Sequence, residues 1–471
     1  MKSRLSLVCS RCGYFFQAGH EKSSCERCGG QLEYVFDEEY LKRVKFAGEL
    51  RFWRYRPVMP PVQKVVSLGE GGTPIQRSQR LAESLGLIDL RLKDETRNPT
   101  SSFKDRSAAL LISDALSKGF DSAVCATDGN HGASVAAYTA KANISSHLVV
   151  PKSMDLGKLA QMMAYDADII EAGDTVEEAV KRARGLEHEK GWYQATTELN
   201  PLSIEGLKTI SYELAEQDVV PDWLVVAMGS GATIHSLWKG YRELEVMGLV
   251  KNTPHLIGVQ AVGCKPIAEA FEQGLEEPVE ITQGKTEALA INVAEPFFGE
   301  LALRALHESG GFAVTVTDEE MIKAGGEIAR LEGIFSEPAS ASTVACLKSL
   351  VEAGKIGKQD CVVSLITSSG LKTDDILRSL TKRIKTPGLG SKLSTKKKIL
   401  SIILTSEKTY GYEIWKGMGR EMTIGAIYQH LTDLEGRGLI SSIMQGKRRY
   451  IEITEKGRRV LSALDDLQIL L

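Results

Sequence analysis

An α/β architecture, parallel strands joined by crossover helices, is what this sequence predicts for its long central part. Two observations carry that expectation. Short β-branched runs alternate with helical periodicity from residue 73 to about 383, as in SAVCAT before GASVAAYTAKA and DWLVVAM before GATIHSLWKGYREL. The bulk composition agrees: 471 residues, 43% hydrophobic and 25% charged with 44 glycines, suit a multi-domain globular chain and exclude a collagen, a coiled coil or a disordered tail. No apolar run approaches the ~18 residues of a membrane span, and residues 1–12 lack the apolar stretch of a signal peptide, so the expectation is a cytoplasmic protein with no membrane partner.

The first element is a Cys-rich stretch. Cys9-Ser-Arg-Cys12 and Cys25-Glu-Arg-Cys28 are two CxxC pairs twelve residues apart, each followed by glycine. Four thiolates at this spacing suit a closed, structural Zn²⁺ site, and the short strands around them have no core of their own without such a staple. A redox pair is the competing reading, but a thioredoxin-like CxxC is single and opens a helix. Cys125, Cys264, Cys346 and Cys361 fall in apolar contexts and read as core packing.

The central part holds the candidate chemistry. Lys104 stands where a polar loop, NPTSSFKDR, runs into a helix. A lone lysine there is ordinarily a solvated charge; its company is what distinguishes it. Thr127-Asp-Gly-Asn-His-Gly132 and Gly229-Ser-Gly-Ala-Thr233 each follow a strand and open a helix, where backbone N–H groups cradle an anion. Neither matches a dinucleotide fingerprint or a Walker loop. A loop for a single phosphate, a reactive lysine and a strand-end hydroxyl in Thr367-Ser-Ser-Gly370 together suit pyridoxal phosphate.

On these residues, with Glu70-Gly-Gly-Thr-Pro74, Gly157-Lys-Leu-Ala-Gln161, Asn200-Pro, Glu205-Gly-Leu-Lys-Thr209 and GIFSEPASA from Gly333, the chain resembles threonine synthase and its relatives among the β-family pyridoxal-phosphate enzymes. The resemblance implies a two-lobed, tryptophan-synthase-β-like fold (fold type II) behind a zinc ribbon. It implies Lys104 as the lysine bonded to the cofactor and later the proton shuttle, and Asn130 beside the cofactor's 3′-oxygen. Gly229, Ser230, Gly231, Ala232 and Thr233 would hold its phosphate, with Ala232 departing from the more usual glycine, and Thr367 would face the ring nitrogen. Thr127, Asp128, Gly129 and His131 would lie on the substrate side, His131 more as a loop-stabilising group than as a base.

Two departures bear on the substrate. Ser203 and Leu207 stand where synthases carry Arg and Gln, and losing that charged contact to the substrate phosphate would cost roughly 1.5 to 3 kcal/mol unless Lys158 or Lys208 compensates. Asp128 replaces a small hydroxyl residue; it can take a proton or bind a second amino group, or it can simply cap the following helix. The same DGNHG string occurs in diaminopropionate ammonia-lyases, which lack the SFKDR and ribbon features.

The last element is basic. Residues 391–471 carry 14 Lys+Arg against 9 Asp+Glu, a charge of +5 that leaves −8 for the rest and points to an anionic partner for the tail alone. A helix, a Gly-Tyr turn, a helix pair and a basic hairpin before a last helix describe a winged helix-turn-helix. Through Gly411-Tyr-Glu413, Ile427-Tyr-Gln-His-Leu431, Leu434-Glu-Gly-Arg-Gly-Leu-Ile440 and Tyr450-Ile-Glu-Ile-Thr-Glu-Lys-Gly457 it is similar to the PadR-type group. The recognition helix is expected over residues 423–437, with Tyr428, Gln429 and His430 available to bases of double-stranded DNA and Lys447, Arg448 and Arg449 as a wing on phosphates. Protein contact alone is the competing role, and the terminal LSALDDLQILL suits pairing with a partner subunit.

The expected domains are residues 1–36 (zinc ribbon), 37–380 (catalytic), 381–394 (linker) and 395–471 (winged helix). The expected function is a threonine synthase-like lyase on O-phosphohomoserine, in a homodimer. The alternatives are an ammonia-lyase or dehydratase acting on 2,3-diaminopropionate, threonine or serine, and an amino-acid-sensing transcription regulator.

Overall fold

A computed structural model describes residues 4–16, 24–152, 154–373, 389–405, 409–419, 422–445 and 448–461. The chain divides into two units, Met1–Ile376 and Leu377–Leu471. Among the described residues no helix is long and apolar enough to cross a membrane.

In the first unit, β1 (Leu5–Cys9), β2 (Phe15–Phe16) and β3 (Leu32–Phe36) form an antiparallel ribbon in the order β2-β1-β3. Its core is little more than Leu7, Leu32 and two of the cysteines, which is why it needs a staple. The Sγ atoms of Cys9, Cys12, Cys25 and Cys28 lie within 4.8 Å of one another, with 3.5 Å between Cys9 and Cys28 and 3.7 Å between Cys12 and Cys25. Four thiolates ~2.3 Å from a tetrahedral zinc stand ~3.8 Å apart, so the cluster fits that ion; a disulfide needs ~2.05 Å.

The ribbon seats on the helix Ala232–Val246: Glu33 meets His235 Nε2 at 2.5 Å, and Lys239 Nζ donates to Tyr34 O at 2.5 Å and to Glu205 at 2.6 Å. Arg11 also pairs with Glu300.

Two sheets make the two lobes. The larger holds β4 (Ile75–Arg77), β5 (Asp89–Asp94), β10 (Trp223–Ala227), β11 (His255–Ala261), β12 (Phe312–Val316) and β13 (Cys361–Ile366), in the order β12-β11-β10-β13-β5-β4. All its pairs are parallel except β4 with β5 at the edge. The smaller, all parallel, runs β8 (Asp168–Glu171), β7 (Ser145–Val150), β6 (Ser122–Ala126), β9 (Tyr193–Gln194). Helices cover both faces, so central strands such as WLVVA and CVVSLI are apolar on consecutive residues rather than alternately. In such sheets ligands collect at the carboxyl ends of the strands.

A fully buried ion cluster joins the lobes' elements. Arg106, on the helix Asp105–Lys118, donates through Nε and Nη2 to Glu95 at 2.8 and 2.7 Å and through Nη1 and Nη2 to Glu213 at 2.6 and 2.8 Å. Lys93 Nζ reaches Glu213 at 2.9 Å. Burial opposes ionisation of Glu213, but Arg106 and Lys93 hold its carboxyl well below the usual carboxylate range.

In the second unit, β14 (Thr409–Tyr410), β15 (Ile440–Gln445) and β16 (Arg448–Ile453) pair antiparallel in the order β14-β16-β15. The helices Leu389–Thr405, Gly411–Gly417 and Ile424–Gly436 supply Ile399, Leu400, Ile414, Ile427 and Leu431 to its core. The first of these starts inside the stretch expected as linker. Thr423 caps the third helix, accepting from Ala426 N, and Arg437 closes it, the span expected for a recognition helix.

Replacing Arg106 with leucine leaves two buried carboxylates against one lysine. Arg106→Leu should cost about 3–5 kcal/mol of unfolding free energy; urea denaturation at neutral pH is the check, and a loss within 1 kcal/mol would contradict the role given to the cluster.

Candidate active site

Strand ends β6, β10 and β13 open on one cavity of about 370 Å³, which gathers Lys104, Thr127, Asp128, Asn130, His131, Gly229, Ser230, Gly231, Thr233 and Thr367. The lysine loop is tied down on both sides. Asp105 accepts from Thr100 N at 2.7 Å and Thr100 Oγ1 at 2.6 Å, folding the loop onto the helix start, and Phe103 N donates to Thr367 O at 2.9 Å, pinning it to β13. Burial pushes the Asp105 carboxyl up to about 6.

Lys104 stands at the helix N-cap, half-buried. Burial pushes its pKa down, opposed by Glu198 and Asp128. Among the described residues its Nζ has neither a hydrogen bond nor an ion pair. Its one recorded contact is with the face of the Phe103 ring, 5.1 Å from the centroid; a lysine whose pKa is lowered and that no carboxylate holds is the better nucleophile and base for it.

The TDGNHG loop is built around Thr127, whose Oγ1 accepts from Gly129 N and Gly132 N, both at 2.9 Å. Thr127, not Asp128, therefore does the capping work at this helix start, and Asp128 is free to line the cavity. Burial raises the Asp128 carboxyl, with Lys158 and Lys104 opposing. Gly129, at φ 154°, leaves no room for a Cβ, which would come within 2.3 Å of Lys158 Cδ. His131 Nε2 binds Ala195 O at 2.8 Å. Burial and Lys104 push its pKa down to about 3, so the ring is neutral.

Asn130 donates through Nδ2 to Glu337 at 2.9 and 3.1 Å, which leaves its buried Oδ1 without a partner. Gly229 and Gly231 close the cradle: a Cβ would come within 2.8 Å of Ala290 O at the first and 2.7 Å of Phe298 O at the second. Ala232 is the first residue of the 15-residue helix behind them, whose opening N–H groups have no intrahelical acceptor. Thr367 Oγ1 shares a hydrogen bond with Ser340 Oγ at 2.7 Å. The donor set suits pyridoxal phosphate: an amine of lowered pKa for its aldehyde, N–H groups for its phosphate, an unpartnered amide oxygen and a neutral hydroxyl.

Other expected residues are placed elsewhere. Ser203 is fully buried, its main-chain carbonyl accepting from Ser107 Oγ at 2.9 Å. Lys158 Nζ is paired with Asp155 at 2.8 Å and Glu337 at 3.5 Å, and these carboxylates raise its pKa against the effect of burial. Lys208 Nζ lies between Glu205 at 2.6 Å and Glu243 at 2.8 Å. Neither lysine lines the cavity. Residues without a motif do: Glu198, Glu177, Glu295, Lys181 and Arg184. Glu198 sits two residues before the quoted Asn200-Pro, the nearest thing to a signal for any of them.

In the second unit Tyr428 and Gln429 are exposed and His430 is half-buried. Arg449 pairs with Glu435 and donates to Ser442 Oγ at 2.9 Å. Arg448 opens β16, Lys447 lies outside the described residues, and so does LSALDDLQILL after Leu461.

Residues 66–368 match the family of pyridoxal-phosphate dependent enzymes, and residues 399–463 the transcriptional regulator PadR-like family. The chain is 39% identical over 377 residues to a threonine synthase of Methanocaldococcus jannaschii, covering 78% of this chain and 93% of that protein. With a threonine synthase of Methanosarcina acetivorans it shares 36% over 372 residues, 78% and 92% of the two. In fold it is similar to a fungal L-serine ammonia-lyase from Rhizomucor miehei, with a TM-score of 0.58 at 20% identity over 66% of this chain and 98% of that one. Maize serine racemase gives 0.57 at 19% identity, over 66% and 92%.

A neutral native His131 has a consequence for stability. The unfolded imidazole titrates near 6.5 and the native one near 3, so below 6.5 the unfolded chain binds more protons and stability falls as pH drops. His131→Gln should lose that dependence: its urea midpoint, relative to wild type, should rise between about pH 7 and 5, and parallel curves would refute the assignment.

Proposed function

The chain belongs to the threonine synthase family of pyridoxal-phosphate dependent enzymes, and on that premise we propose that its cavity converts O-phosphohomoserine to threonine and phosphate. The observation that carries this reading is Lys104, an amine whose pKa burial lowers and which among the described residues has no ion pair, in the same cavity as a glycine cradle and the Thr367 hydroxyl. Gly229, Ser230, Gly231, Ala232 and Thr233 hold the cofactor phosphate, Asn130 meets its 3′-oxygen, and Thr367 its ring nitrogen. Bound pyridoxal phosphate supplies the electron sink that acidifies the hydrogen on the amino-bearing carbon.

Lys104 Nζ takes that proton and carries it toward the leaving-group side. The carbon–oxygen bond to phosphate breaks with its electron pair on phosphate. A proton from the carbon between the amino-bearing one and the one that lost phosphate passes to the departing phosphate, and the proton held on Lys104 passes to the carbon that lost phosphate. Water then supplies a hydroxyl to that middle carbon and a proton to the amino-bearing carbon, so the balance is O-phosphohomoserine plus water giving threonine plus phosphate. Thr127, Gly129 and His131 shape the substrate loop. Asp128, held toward its neutral form by burial, faces the substrate without the full repulsion of a carboxylate.

One observation favours a second reading. Asp128 and Glu198 both line the cavity beside Lys104, an acidic pair suited to a substrate with a second amino group, as in an ammonia-lyase acting on 2,3-diaminopropionate.

Cofactor-loaded protein should release threonine and phosphate in equal amounts from O-phosphohomoserine, and Lys104→Ala should abolish both turnover and the visible cofactor absorbance. Ammonia from 2,3-diaminopropionate, threonine or serine with no phosphate from O-phosphohomoserine would replace the synthase reading with the second.

For the PadR-like unit, acting as a homodimer, we propose that Tyr428, Gln429 and His430 read double-stranded DNA while Lys447, Arg448 and Arg449 contact phosphates. The support is the exposed Tyr428 and Gln429 on a capped helix beside a basic hairpin. Affinity for labelled DNA should fall steeply as salt rises; absent or salt-insensitive binding would leave the unit to protein contacts.

A further inference from the structure

We propose that Lys181 and Arg184, on the helix Val176–Lys190, grip the phosphate that leaves the substrate. The inference rests on the O-phosphohomoserine reading and adds residues that no motif in the chain marks.

The argument is one of charge. A phosphate dianion entering this cavity meets Asp128, Glu177, Glu198 and Glu295 on its walls. Burial moves Asp128 and Glu198 toward their neutral forms, which lessens the repulsion without supplying attraction. Among the described residues the cavity lining holds only three Lys or Arg side chains, Lys104, Lys181 and Arg184. Lys104 is committed to the cofactor and the proton. The cations near the substrate loops that might have served are spent: Lys158 on Asp155 and Glu337, and Lys208 on Glu205 and Glu243. Lys372 is buried with its Nζ on Thr100 O at 2.8 Å. The position where an arginine is expected is a serine sealed in the interior.

The helix presents the two side chains in one direction. Ala179, Ala183 and Leu186 bury one face against β6 and β7, and a capping box between Thr175 and Glu178 fixes the helix start. Lys181 and Arg184, three residues apart, are neighbours on the helix surface, and with Val176, Glu177 and Val180 they line the cavity. Both are exposed, and among the described residues neither makes an ion pair, although Glu177 and Lys181 stand four apart. Arg182, on the same helix, does not line the cavity and is tied to Glu189 at 3.1 Å. It is an internal control for charge alone.

The test compares wild type, the double variant Lys181→Ala/Arg184→Ala, and Arg182→Ala, all cofactor-loaded. Two readouts are taken: kcat and KM with O-phosphohomoserine, and the Kd of a phosphonate analogue of that substrate, read from the cofactor's absorbance. The double variant should raise both KM and Kd about tenfold or more while changing kcat less, since two charged contacts to a phosphate are lost. Arg182→Ala should stay within about twofold of wild type. Wild-type turnover tests the synthase reading alone. Analogue binding tests the grip whether or not turnover is seen, and equal Kd in wild type and double variant, or an equal rise in Arg182→Ala, overturns it.

Discussion

The buried guanidinium of Arg106 is the constraint on which the catalytic unit rests. Two carboxylates, Glu95 from the turn after β5 and Glu213 from the helix Thr209–Glu216, each take two of its hydrogen bonds. Lys93, Thr73 and Gly72 N complete the set around Glu213, and Gly72 has no space for a side chain, since its Cβ would lie 2.0 Å from Leu50 O. Three segments distant in sequence are thereby held to the first turn of the helix that begins beside Lys104. A fixed bidentate fork sets orientation as well as distance, which a lysine in the same place would not do.

Around that anchor the cations are sorted by whether a carboxylate reaches them. Arg106, Lys93, Lys158, Lys208 and Lys239 are each matched to one or two acids, which occupies them; for Arg106, Lys158 and Lys239 the acids raise the pKa against burial. Lys104 is half-buried without such a match, and burial then lowers its pKa. The same physics gives opposite results because the partner, not the depth, decides the sign.

The ribbon contributes to the site at second hand. Its strands hold the helix Ala232–Val246, which starts directly after Gly229–Gly231, through Glu33 on His235 and Tyr34 O on Lys239. A small domain with almost no apolar core can act as a clamp because metal coordination supplies the rigidity that packing cannot.

Much was legible before any coordinates. The CxxC spacing, the alternation of strands and helices, the two glycine loops and the lysine at a loop-to-helix junction are local patterns, set by what a few consecutive residues allow, and the matched families agree with the cofactor and the two architectures they suggested. The tertiary structure alone decided which charges are free. Lys158 and Lys208 stand beside the substrate motifs as candidates to hold phosphate, yet each is engaged by a carboxylate three residues before it, Asp155 and Glu205, and by a distant one, Glu337 and Glu243. A helix cap was one of the roles open to Asp128, yet it is Thr127 whose hydroxyl accepts from Gly129 N and Gly132 N. Glu198, Lys181 and Arg184 carry no motif; Lys181 and Arg184 reach the cavity because the helix Val176–Lys190 packs on β6 and β7, and Glu198 from the turn Thr197–Leu199 after β9. A residue's type and its neighbours in sequence determine what chemistry it can perform; its partners across space determine whether it is left free to perform it.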